Sequence, residues 1–88
     1  MKNLYKQALI KTIQASFKET RKEILHISQD EMSEKLLLSC RSYIELEHGK
    51  SLCNSLSLVL YLIYYCPDPA AFLDDAKKAI EKAYDSVA

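Results

Sequence analysis

The chain has 88 residues and no net charge, with 49% apolar and 27% charged residues, a balance typical of one globular domain over residues 1–88. It contains one Gly and two Pro, and so few breakers favour long helices over many short strands with turns. Its longest apolar run, Leu58 to Cys66, has nine residues and is too short for a membrane span, which needs about 20.

A first amphipathic helix is predicted over residues 3–26, with apolar side chains on one stripe and Lys11, Lys18 and Lys22 on the other side. Residues 1–22 carry six Lys or Arg and one Glu, whereas residues 23–47 carry two Lys or Arg and six acids. Such a basic segment is compatible with nucleic acid or anionic lipid. We favour a basic helix packed beside an acidic one, because the lysines lack supporting Arg and interleaved aromatics.

A second helix is predicted over residues 29–47. Ser28 and Glu31 match a capping box, in which each residue satisfies a backbone N–H of the other. Gly49 follows the helix and suits its C-terminus, where a residue free to take positive φ is favoured. The predicted buried stripe comprises Leu36, Leu37, Cys40, Tyr43 and Ile44.

A third helix is predicted over residues 51–65, with Ser51 as its cap and apolar side chains on two faces. The face expected to enter the core comprises Leu52, Leu56, Val59, Leu60 and Ile63. The face left over, and therefore predicted to bind a partner, comprises Leu58, Tyr61, Leu62 and Tyr65. An alternative stays open, in which the first helix covers this second face.

A fourth helix is predicted over residues 69–86, with Asp68 as its cap and Pro69 in its first position. The connections between the predicted helices are short, so consecutive helices should pack antiparallel. The sequence therefore predicts an all-α fold, an antiparallel four-helix bundle.

Catalytic and metal-binding chemistry is not favoured. Cys40, Cys53 and Cys66 follow one another at intervals of thirteen residues. Thirteen residues of α-helix rise about 20 Å and rotate about 220°. We therefore expect no shared metal and no disulfide. His26 and His48 stand near predicted helix ends without a nucleophile in context. We expect no cofactor, no enzymatic activity and, given the charged N-terminus and odd number of thiols, a cytoplasmic location.

The segment from Tyr43 to Lys50, the Leu- and Tyr-rich run from Leu52 to Tyr65, and the turn Pro67-Asp68-Pro69 resemble the immunity proteins of pediocin-like bacteriocins, the enterocin A immunity family. The similarity covers about residues 30–80. It implies a cytosolic antiparallel four-helix bundle that protects a producer cell. It also implies a protein partner, a sugar phosphotransferase permease with bound bacteriocin, with membrane contact only through that partner.

The leading hypothesis is therefore a non-enzymatic bacteriocin immunity protein. A second hypothesis is a phage or host helical regulator or inhibitor that binds protein or nucleic acid, and salt-dependent DNA binding would favour it. A third is a homodimeric structural bundle in which a face of the third helix forms the dimer core.

Overall fold

The computed structural model describes residues 2–87, most of which lie in five α-helices. They are α1 (Lys2–Glu19), α2 (Gln29–Lys35), α3 (Cys40–Glu47), α4 (Ser55–Leu60) and α5 (Pro69–Val87). Wider π-helical turns continue α1 through Thr20–Leu25 and α4 through Tyr61–Tyr65. Residues 2–87 contain no β-strand, so the predicted all-α fold class is confirmed.

Several predicted helix ends are present. The Ser28 hydroxyl accepts a hydrogen bond from the Glu31 N–H at 3.1 Å, and the Glu31 carboxylate accepts one from the Ser28 N–H at 3.2 Å. Asp68 accepts from the Ala71 N–H at 3.1 Å and so caps α5. Gly49 takes a φ of +72° just after α3, as a helix C-terminus favours.

The prediction of one helix over residues 29–47 is wrong, because the chain turns between α2 and α3. Leu37 takes a φ of +57°, and Ser39 caps a new helix by accepting from the Ser42 N–H at 3.1 Å. Short hydroxyl side chains offer the backbone such local alternatives to a continuous helix. The break leaves Leu37 67% exposed instead of buried, while Met32 becomes fully buried.

The predicted start of the third helix at Ser51 is also wrong. Asn54 is the cap, since its side-chain oxygen accepts from the Ser57 N–H at 2.8 Å and α4 begins at Ser55. Residues 51–54 are not helical. The Ser57 hydroxyl donates to the Leu36 carbonyl at 2.6 Å and ties the first turn of α4 to the end of α2.

The core contains side chains from every helix. Its buried members are Ile13, Phe17, Met32, Leu36, Tyr43, Leu46, Tyr61 and Phe72. The Phe17 ring lies between two tyrosines, with its centroid 4.1 Å from that of Tyr61 and 6.4 Å from that of Tyr43. Phe17 on α1 therefore joins the packing of α3 and of the π turn after α4.

Candidate interaction surface

The inner face of α4, which comprises Leu58, Tyr61, Leu62 and Tyr65, packs against the core. Tyr61 has no exposed surface, and the other three are half-buried. The prediction that these four side chains are left outside the core is therefore wrong, whereas their binding of a partner stays a prediction. The alternative, in which the first helix covers this face, agrees with the structure at Tyr61, which contacts Phe17, Ser16 and Thr20.

The hydroxyl of Tyr61 explains why the inner face turns inward. It lies 2.5 Å from the Ser16 hydroxyl and 2.7 Å from the Thr20 hydroxyl, both on the first helix. Burial raises the pKa of the Tyr61 hydroxyl, which therefore stays protonated at neutral pH. A tyrosine can be fully buried where its hydroxyl finds such partners, and its ring then fills the centre of the core.

The outer face of α4, defined by Leu56, Val59, Ile63 and Tyr64, points to solvent. Leu56 is 58% exposed, Ile63 66% and Tyr64 70%. Leu52, just before the helix, is exposed as well. The sequence prediction that placed Leu52, Leu56, Val59 and Ile63 in the core is wrong; Leu60 is half-buried and packs against it.

The electrostatic character of the outer face follows from its sequence. No charged residue and no histidine occurs over residues 51–67, between Lys50 and Asp68, and both of these flanking side chains are exposed. A large exposed apolar surface of this kind on a small protein is typical of a protein-binding site. Its single tyrosine supplies a broad ring with a hydroxyl at the tip, a side chain that interfaces favour.

Leu37 is a further exposed apolar side chain. It follows Leu36, whose carbonyl accepts from Ser57 in the first turn of α4, and it is exposed on the turn between α2 and α3. Leucine seldom takes a positive φ, and such conformations persist where the surrounding structure or the function requires them.

A buried ion pair lies apart from this surface and joins α1 to α3. Arg21 donates to the Glu47 carboxylate through Nε at 2.6 Å and through Nη2 at 3.0 Å. Gln29 donates to the same carboxylate at 3.1 Å, and the Tyr43 hydroxyl donates to it as well. The Glu47 carbonyl accepts from the Gln14 side chain at 2.8 Å.

These contacts determine how the groups ionise. Burial opposes ionisation of Glu47, but the hydrogen bonds from Arg21, Tyr43 and Gln29 outweigh it and lower the pKa of the carboxyl group. The hydrogen bond from Arg21 to Glu47 raises the pKa of the guanidinium. Burial, with the neighbouring carboxylate, raises the pKa of Tyr43. Glu47 is thus held as a fully engaged carboxylate, an arrangement suited to fixing helices.

The three cysteines are unpaired thiols, each half-buried. Cys53 and Cys66 pack against the core, and burial raises the pKa of the Cys53 thiol to about 11. Within the described part of the chain, no three side chains of His, Cys, Asp or Glu come together in a way that would hold a metal ion. His26 and His48 are exposed at the ends of their helices.

The Glu47 network and the orientation of α4 were the features that sequence reasoning missed. Arg21 stands four residues after Phe17, and Glu47 four residues after Tyr43, so each lies on the same helix face as a core aromatic. That spacing was the available signal for a buried pair. For α4, the signal was the match between the Tyr61 hydroxyl and the hydroxyls of Ser16 and Thr20.

Comparison with protein-family models, curated proteins and solved structures finds no match to this chain. Among residues 2–87, every helix falls short of the length and apolar character needed to cross a bilayer.

Proposed function

We propose that this chain is a non-enzymatic protein-binding module whose binding surface is the outer face of α4. The observation that supports the proposal is the exposure of Leu56, Val59, Ile63 and Tyr64 along a helix without charged residues. The same helix is fixed from behind by Tyr61, so the apolar side chains are presented on a rigid support.

We further propose that the cellular role is immunity to a pediocin-like bacteriocin, exerted from the cytoplasm on a membrane receptor of the permease class. Support comes from the resemblance over residues 30–80 and from the exposed face within that stretch. Contact with the membrane would then be made only through the partner.

We also propose that the five helices form an antiparallel four-helix bundle, in which α2 and α3 together take the place of the second helix. The turn between them is four residues long, and Arg21 and Gln14 on α1 bind Glu47 at the end of α3. The bacteriocin immunity family is expected to have the same architecture.

Expression in a sensitive strain tests the proposed role. Cells that produce the chain should survive at least one pediocin-like bacteriocin at concentrations that kill cells with an empty vector. A Leu73→Glu variant is the matched control, because Leu73 is 57% exposed but lies on α5, so it should protect as the wild type does. Absence of protection against a full panel of such bacteriocins, with the folded protein present in the cells, would refute the immunity role.

A further inference from the structure

A groove lies between the first half of α1 and the second half of α5, and we call it the α1/α5 groove. It is open to solvent, its volume is about 360 Å³, and α4 contributes no residue to it. The apolar residues that line it are Leu4, Ala8, Ala79 and Ala83. Leu4 is 43% exposed, and the short alanine side chains leave room above them. This apolar surface is therefore separate from the outer face of α4.

Two lysines from different helices, Lys11 on α1 and Lys82 on α5, line the same groove. Both side chains are exposed, and within the described part of the chain neither ammonium group forms an ion pair with a carboxylate. Glu81 and Asp85 are close to Lys82 in the sequence, but neither lines the groove, and α1 carries no acidic residue before its last position. The groove therefore has a positive potential that favours an anionic ligand.

We propose that the α1/α5 groove binds a fatty acid, with its carboxylate between Lys11 and Lys82 and the first part of its chain on the alanines. Lysine has a flexible stem and three N–H donors, so two ammonium groups from different helices can converge on one carboxylate. The chain would remove the apolar lining from water, which favours binding in proportion to the area covered. A largely apolar site with a few charged groups is also the usual composition of a small-molecule site.

The size of the groove favours a single chain over a peptide helix. Its volume is that of a box about 7 Å on a side, whereas an α-helix with its side chains is about 10–12 Å across. This volume is near the lower limit for small-molecule sites, so the groove would hold the carboxylate and only part of a long chain. We therefore expect a Kd on the order of 1 mM for a ten-carbon fatty acid.

Heteronuclear NMR of the ¹⁵N-labelled full chain with sodium decanoate tests the proposal. At low salt and below the micelle concentration of decanoate, the amide signals of residues 8–11 and 79–82 should shift progressively as the ligand is added. Acetate, which has the carboxylate without the chain, should bind at least about tenfold more weakly, because it covers almost no apolar surface. Decyltrimethylammonium, which has the chain with the opposite charge, should leave these signals in place.

Charge reversal at the two lysines tests their role. Lys11→Glu and Lys82→Glu should each weaken decanoate binding about three- to tenfold at low salt, because an attraction becomes a repulsion. Lys77→Glu is the matched control, since Lys77 is an exposed lysine of α5 that does not line the groove, and its Kd should stay within about twofold of the wild type. Circular dichroism verifies that each variant is folded. Equal weakening by all three substitutions would overturn the proposal, because net charge alone would then explain binding.

Other results of the titration would overturn the proposal as well. They are an absence of shifts with decanoate, equal shifts with decyltrimethylammonium, and shifts confined to the outer face of α4. Binding to phosphatidylglycerol vesicles that Lys11→Glu and Lys82→Glu abolish, without binding of free decanoate, would instead assign the two lysines to a membrane surface.

Discussion

Glu47 is the residue at which α1, α2 and α3 converge. Its carboxylate receives Arg21 from the first helix, Gln29 from the second and Tyr43 from its own. A buried ion pair of this kind adds little to the free energy of unfolding beyond what apolar packing would supply. Removing one partner, however, leaves the other charge buried and unpaired. The network therefore acts mainly by fixing the positions of the helices that carry it.

Replacing Glu47 with Ala should lower the free energy of unfolding by about 3–5 kcal/mol, because the Arg21 guanidinium would remain buried without a carboxylate. Urea denaturation followed by circular dichroism measures the change. Glu45→Ala is the matched control, since Glu45 pairs with exposed Arg41 at 3.6 Å and should contribute less than about 0.5 kcal/mol. Equal effects of the two substitutions would contradict this account of the network.

The lowered pKa of Glu47 predicts how stability depends on pH. Its contribution is complete above the unfolded-state pKa of about 4.3 and is lost as the pH falls through the lower folded-state pKa. The difference in unfolding free energy between the wild type and Glu47→Gln should therefore shrink on acidification below about pH 4. A difference that is constant, or that grows as the pH falls, would contradict the lowered pKa.

Among the elements, the ends of the helices show how far sequence reasoning reached. Ser28, Asp68 and Gly49 were predicted correctly, since each uses a local interaction that the neighbouring residues specify. The starts of α3 and α4 were not predicted, because Ser39 follows an apolar run that could continue the helix, and Asn54 lies in a Ser-rich segment that offers more than one cap. Which cap is used there depends on tertiary contacts such as the bond from Ser57 to the Leu36 carbonyl.

Asn54→Ala should destabilise the protein by about 1 kcal/mol, because the Ser57 N–H at the start of α4 would lose its side-chain acceptor. Ser51→Ala is the matched control and should change stability by less than about 0.5 kcal/mol, as Ser51 lies outside the helix. Thermal denaturation of both variants compares them. A larger effect at Ser51 than at Asn54 would place the helix start where the sequence had suggested it.

The turn between α2 and α3 contains backbone strain that a substitution should release. Leu37→Gly should raise the free energy of unfolding by up to about 1 kcal/mol, because glycine takes a φ of +57° without a Cβ clash. Leu37→Ala removes the exposed side chain but keeps the clash, so it serves as the control. Alanine and glycine variants of equal stability would show that the left-handed conformation costs nothing.

The molecule as a whole is organised around an α4 that is apolar on two sides. Periodicity indicated a helix there but could not decide which side faces inward, because both faces repeat at helical spacing. Hydrogen-bonding partners decide it: the inner face carries Tyr61, whose hydroxyl meets Ser16 and Thr20, while the outer face carries Leu56, Val59 and Ile63, which have no polar group to satisfy. The surface that remains exposed is accordingly the one whose only polar side-chain group is the Tyr64 hydroxyl, which solvent can reach.

Protection by an outer-face variant tests whether the outer face of α4 is the surface through which the protein acts. Sensitive cells should express the wild type, the double variant Leu56→Glu, Ile63→Lys, and the control Leu73→Glu at matched levels, and the bacteriocin concentration that kills each should be measured. We expect the double variant to fall to the level of the empty vector while its melting temperature stays within a few degrees of the wild type, since both side chains are exposed. Full protection by the double variant would contradict the account.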